Sequence, residues 1–147
     1  MGIHAIAKNA KRINQNIRLL VAEAVENVEK PLVNINRSQM LRHKLSDGRD
    51  FVNTRTGKKT LSKAYARRTN KRYPNLYESG TFQKNMFLDV NENNLTMQFS
   101  SYWDKTNYLE DQYTLKIWGI MPKNIPKARK IAVKELFRIY YKQLLGA

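Results

Sequence analysis

The strongest constraint on the fold is a helical stripe at the start of the chain. Apolar residues recur in steps of three and four, at Ile3, Ile6, Ala10, Ile13, Ile17, Leu20, Ala24 and Val28, while Lys8, Lys11, Arg12 and Arg18 fall elsewhere. That period collects the apolar side chains on one side of an α-helix. It predicts one helix over Ile3–Asn27, roughly 40 Å long at its standard rise per residue. Such a helix either spans a whole small domain or packs against a second subunit. Pro31 ends or bends it, and its fixed torsion also suits the first turn of a new helix. A second, short helix through Leu32, Ile35, Gln39 and Met40 is expected to follow.

The far end of the chain repeats the pattern. From about Pro126 to Leu145, one face carries Ala132, Leu136, Ile139, Tyr140 and Leu144, with Val133 and Phe137 read as widening it. Between the helices the period changes to two. Phe82, Lys84, Met86, Leu88 and Val90 alternate with their neighbours, and after Asn91-Glu92-Asn93-Asn94 so do Leu95, Met97 and Phe99. Two such runs around an Asn-rich turn predict a β-hairpin, with Lys84 at the open end of its apolar face. Asp104–Tyr113 reads as one or two helical turns. The short apolar run Leu115–Trp118 is then broken by Gly119 and Pro122.

The expected architecture is α+β: a long N-terminal helix and a C-terminal helix packed on a small antiparallel sheet, with a basic loop-rich excursion. One domain holds a long helix over 1–30, a basic arm over 37–73, a small β-sheet region over 82–120 and a C-terminal helix over 126–145. A chain of 147 residues fits one domain, and at that size buries only about two-thirds of its unfolded surface.

Charge is the next constraint. The chain carries 27 Lys and Arg against 12 Asp and Glu, a formal +15. Twelve of the cations lie between Arg37 and Arg72, opposed there only by Asp47 and Asp50. Asp47-Gly48 and Thr56-Gly57 are turn signals, a short helix is expected near Leu61–Arg68, and Phe51 and Tyr65 are the anchors available to such an arm. Its candidate partner-binding residues are Arg37, Arg42, Lys58, Lys59, Lys63, Arg67, Arg68, Lys71 and Arg72. On the C-terminal helix, Lys127, Lys130, Lys134, Arg138 and Lys142 make a basic stripe with Glu135 as the nearby acid. A solvated face is the plain meaning of such a stripe; the functional one is a polyanion or an acidic neighbour.

The chemistry of catalysis finds little to work with. Cysteine is absent, which removes disulfides, thiol catalysis and Cys-based zinc sites. His4 has no His, Asp or Glu within four residues and His43 has only Asp47, so neither begins a metal-ligand set, and both are expected at the surface. Asp89, Asp104 and Glu110 have no spacing that requests a two-metal nuclease. The glycines are single, so no phosphate-cradling loop forms. No signal peptide, membrane span or myristoylation signal is expected, and the chain reads as soluble. The expectation is a protein that binds and does not catalyse, with no cofactor and no metal.

One stretch carries a resemblance. Pro74-Asn75-Leu76-Tyr77-Glu78-Ser79-Gly80-Thr81-Phe82-Gln83-Lys84-Asn85-Met86 runs into the hairpin. It resembles the entry to the sheet in small structural proteins of tailed bacteriophages and prophages, of minor-tail, tail-completion or head–tail joining type. Asn36-Arg37-Ser38-Gln39-Met40-Leu41 and Asp47-Gly48 followed by Thr56-Gly57-Lys58 are similar to that family's helix and loop. Lys105, Leu109-Glu110, Tyr113 and Ile117-Trp118-Gly119-Ile120 are similar to its closing segment. The likeness spans roughly residues 34–122, and where the family often has Gly after the tyrosine this chain has Thr114. In the family the turn at Ser79-Gly80 feeds the first strand, so a positive φ is expected at Gly80.

The resemblance implies a virion protein: an α+β subunit of a homo-oligomeric ring, meeting portal, adaptor or tail subunits, with DNA contact open and no membrane. The alternative from charge alone is a sequence-independent nucleic-acid-binding protein of ribosomal or nucleoid type.

Overall fold

The computed structural model describes residues 2–70, 74, 76 and 80–146, apart from the side chains of Tyr65 and Thr69. Lys71, Arg72 and Ser79 therefore lie outside the described residues, as does the anchoring role expected of Tyr65. The fold is α+β, with N- and C-terminal helices and a two-stranded antiparallel sheet.

The N-terminal stripe is helical over its length but not one helix. It divides into α1 (Ile3–Gln15) and α2 (Ile17–Asn27), and α3 (Glu29–Leu41) follows. Asn16 makes the first break. Its Nδ2 donates to Arg12 O at 3.2 Å, the carbonyl its own N–H would take in a regular helix, while that N–H turns to Ile13 O at 3.0 Å. An asparagine side chain offers the backbone this alternative, and periodicity of apolar residues cannot register it. The second break is at Val28 (φ −110°, ψ 20°). It places Pro31 in the first turn of α3, where a missing N–H costs nothing.

Helix α3 ends in a hydrogen-bonded reversal. Lys44 N–H reaches Gln39 O (3.0 Å) and His43 N–H reaches Met40 O (2.9 Å), with His43 left-handed at φ 61°. This is the Schellman arrangement, usually closed by Gly. His43 is half-buried and its Nδ1 lies 2.9 Å from Pro74 O. It is thus part of the fold and not the surface residue expected; His4 is exposed.

The hairpin pairs β1 (Met86–Asn91) with β2 (Thr96–Ser101) in the register Met86–Ser101, Leu88–Phe99, Val90–Met97. Met86, Leu88 and Phe99 are buried against α3, and Leu88 N–H donates to Glu29 Oε1 at 3.1 Å. Asn91 Oδ1 accepts from the backbone of Asn93 and Asn94, closing the turn. The sheet begins later than expected. Gly80 has φ 79°, as its place in the turn demands, but it opens a one-turn helix, α5 (Thr81–Lys84). Phe82 and Gln83 are buried there and Lys84 is exposed on that turn, not at the mouth of the sheet. Over four residues, a period of two and a helical turn are indistinguishable. Leu95 likewise sits in the turn, at φ 54°.

Nor does the sheet extend to residue 120. Residues Thr106–Tyr113 form α6, Leu115–Ile117 and Pro122–Asn124 are 3-10 turns, and α7 runs Ile125–Leu145. The run Leu115–Trp118 cannot continue as a strand because Thr114 reverses the chain at φ 74°, ψ 159°, a region that favours Gly. Replacing Thr114 with Gly is expected to raise stability by about 1 kcal/mol, strain relief exceeding the chain entropy glycine adds. Denaturant midpoints of the two proteins check this; a lower midpoint in the variant would show that Thr114 sits there without strain.

Among the described residues, two apolar clusters form the interior. The larger joins α2 and α3 to the sheet, through residues such as Val28, Leu32, Met40, Phe82, Leu88 and Ile117. The smaller joins Ile13, Leu20 and Ala24 to Ile139, with Leu136, Tyr140 and Leu144 around it. Helix α7 runs antiparallel along α1 and α2: Asn9 Nδ2 donates to Leu144 O and Asn27 Nδ2 to Glu135 Oε1, both at 3.1 Å. The N-terminal stripe therefore finds its partner on its own chain. Its first residue overhangs, with Ile3 84% exposed.

A buried polar clamp sets where α7 starts. Asn36 Nδ2 donates to Ile117 O (3.1 Å) and Gly119 O (2.8 Å). Gln39 Nε2 donates to the same Gly119 O (2.9 Å), and its Oε1 accepts from Met121 N and Asn124 Nδ2, both at 2.8 Å. Both side chains are fully enclosed. The segment entering α7 thus takes its place from hydrogen bonds that would be costly to leave unmade.

Candidate interaction surface

The basic arm is two tight turns, an extended tip and a helix, α4 (Lys63–Thr69). In the first turn, Leu45 N–H bonds Arg49 O at 2.8 Å. In the second, Asn53 Oδ1 accepts from Arg55 N and Thr56 N, both at 3.0 Å. Phe51 pins the arm from beneath, fully buried with its ring 5.5 Å from that of Tyr113. Thr54 N–H donates to Gln112 O at 2.9 Å and its Oγ1 to Asp111 O at 2.8 Å, docking the arm on the end of α6.

The two acids of the arm are both used. Asp50 lies 2.6 Å from Lys44 Nζ and 3.8 Å from Lys59 Nζ. Asp47 meets Arg49 Nε at 2.8 Å and Lys116 Nζ at 3.0 Å. Its carboxyl is held down from an ordinary 3.8 to about 2, first by the Arg49 backbone N–H, then by the Lys116 and Arg49 side chains. A carboxylate with a depressed folded pKa adds stability that is present above the unfolded value and lost as pH falls through the folded one. The thermal midpoint is therefore expected to drop between about pH 4 and 2, and Asp47→Asn to flatten part of that drop. Asp50 and Glu135 are lowered too, by Lys44 and Arg138, so some slope remains. An unchanged slope in the variant would remove Asp47 from the account.

Among the arm's candidate residues, Arg42, Lys58, Lys59, Lys63, Arg67 and Arg68 are exposed. Arg37 differs from them in its surroundings. It is half-buried on α3, with Nη1 donating to Asn34 Oδ1 at 2.9 Å and Nη2 to the Gln83 carbonyl. It ties α3 to α5, because its place on the helix points it at the turn before β1.

On α7, Lys127, Lys130, Lys134, Arg138 and Lys142 are all exposed, but they are not equivalent. Arg138 is committed to Glu135 at 2.6 and 2.8 Å, which raises its pKa and lowers that of Glu135. Among the described residues the four lysines form no ion pair. Val133 and Phe137 do not widen the core face. With Tyr141 and Leu145 they stand outward, 40–56% exposed, Phe137 and Tyr141 stacked at 6.2 Å. Sequence reading missed this row because the helix is apolar on two sides. The signal available was its unbroken step of four, offset from the row through Ala128, Ala132 and Leu136.

The acids weighed for metal chemistry are apart in role. Asp89 and Asp104 are exposed, and Glu110 accepts the Trp118 indole N–H at 2.5 Å. Among the described residues no three His, Cys, Asp or Glu group together as metal ligands would, and no helix is long and apolar enough to cross a membrane. What this surface can do chemically is attract anions and cover apolar side chains. Set against protein families, curated proteins and solved structures, the chain finds no match in any of the three comparisons.

Proposed function

We propose that this chain is a virion structural subunit of tailed-phage type, a head–tail joining or tail-completion protein that works by docking to neighbours and forming a ring. The observation that carries this reading is the outer face of α7, where exposed apolar residues share one helix with lysines that form no ion pair among the described residues. Apolar rows left in solvent on a small domain mark interaction sites. The order of motifs from Asn36 to Ile120 supports the phage assignment, by resemblance. The basic tip at Lys58 and Lys59 supplies a second surface for an acidic neighbour or for DNA.

Native mass spectrometry with negative-stain imaging of the purified chain tests the proposal. Closed rings, or rings formed on adding the purified neck components, are the expected result. A monomer under both conditions that shifts on any DNA or RNA, with affinity falling steeply as salt rises, would replace it with the nucleic-acid reading.

A further inference from the structure

Val133, Phe137, Tyr141 and Leu145 stand at steps of four on α7, a single i±4 ridge about 18 Å long. Phe137 and Tyr141 keep 53% and 55% of their surface in solvent, although the opposite face of α7 already fills the core through Ala128 and Ile139. The ridge is thus surplus to the fold. Lys130 and Lys134 each precede a ridge residue by three, at Val133 and Phe137, so they lie on the same face. Glu135, the one acid on α7, is turned to Arg138 and Asn27 and neutralises neither lysine.

An occupant must cover an apolar ridge and supply negative charge beside it. A second copy docking by this same face would set lysine row against lysine row between chains of +15 each. A nucleic acid would meet the lysines and could stack on Phe137 and Tyr141, but Val133 and Leu145 offer no stacking face. A membrane surface favours a broad apolar face, and this ridge is one side chain wide between lysines and core. We infer that the outer face of α7 is the docking site for an acidic amphipathic helix of a partner protein, its apolar stripe over the ridge and its carboxylates on Lys130 and Lys134. This is helix-against-helix recognition with a charge register. It deepens the docking reading above and rests on that reading in its coarse form, not on the ring.

The test uses the full chain and a fluorescein-labelled helical peptide of about 18 residues with a leucine stripe flanked by glutamates. Its counterpart carries lysine in place of each glutamate. An oligothymidylate and vesicles of phosphatidylcholine with phosphatidylglycerol complete the set, and thermal melts confirm that each variant is folded. The acidic peptide is expected to bind, and Phe137→Ser with Tyr141→Ser to weaken it at least about tenfold. Lys130→Glu with Lys134→Glu should weaken it likewise and gain the basic peptide. Lys8→Glu with Lys11→Glu, the same change of net charge on α1, should stay within about twofold.

Equal loss in the α1 variant, or reversal that fails to switch peptides, overturns the inference. So does vesicle or oligonucleotide binding that depends on Phe137 while the two peptides bind alike. Ring assembly that tolerates all α7 changes, with no peptide affinity, sinks this inference alone. Peptide binding that follows the expected pattern in a chain that never forms rings supports it and sinks only the ring.

Discussion

Replacing Phe51 with Ala is expected to lower stability by about 3–5 kcal/mol, the usual cost of emptying a buried aromatic site. Phe51 is 1% exposed, contacts the Tyr113 ring, and sits between two backbone docking points, its own N–H on His43 O and Thr54 N–H on Gln112 O. A domain of this size holds a net stability of only about 7–15 kcal/mol. The variant should therefore lose roughly a third of it and release the arm as well. Chemical denaturation gives the first number. Limited trypsin digestion gives the second, because Arg55, Lys58 and Lys59 lie just beyond the anchor and are exposed. A loss under about 1 kcal/mol would mean that the arm rests on the domain without being part of its core.

Gly119→Ala is the second large effect, expected at about 2–3 kcal/mol. Gly119 has φ 108°, well outside the left-handed well that other residues visit at modest cost, and a Cβ there would stand 3.2 Å from Ser46 Cβ. Its carbonyl is also the acceptor shared by Asn36 and Gln39, so a shift of the backbone loosens both donors. Ser46→Gly separates the causes. In that background the contact is gone and only torsional strain and the clamp remain, so the double variant should recover part of the loss. A Gly119→Ala protein that melts with the wild type would show that the segment adjusts without strain.

These two sites differ in how far they could be read in advance. Phe51 reads as an anchor from its place in a polar stretch, since an aromatic among turns and cations has few reasons to be there except burial. The sequence marks Gly119 as a breaker of an apolar run and as part of a resembling segment, not as a shared acceptor. Its carbonyl is held by Asn36 and Gln39, about eighty residues earlier, and no local pattern carries that link. The proposed binding surface divides the same way. The lysine stripe of α7 is legible from spacing, whereas the bond from Arg37 on α3 to the Gln83 carbonyl is not, because its partner lies 46 residues away. Val133 and Phe137 read as inward from the sequence because a helix with apolar residues on two sides does not declare which side the core takes.

What the sequence determined by itself was the kind and order of the elements. Three- and four-residue steps, a period of two around an Asn-rich turn, and Pro and Gly punctuation act through neighbours in the chain, so they are visible in the chain. Tertiary structure decided the rest: where α1 gives way to α2, where the sheet stops, which cations are spent on the fold, and which face of α7 is left to solvent. Those outcomes hang on partners far apart in sequence. A buried donor goes to whichever carbonyl the packing brings within reach, and an apolar face is covered only if another element arrives to cover it.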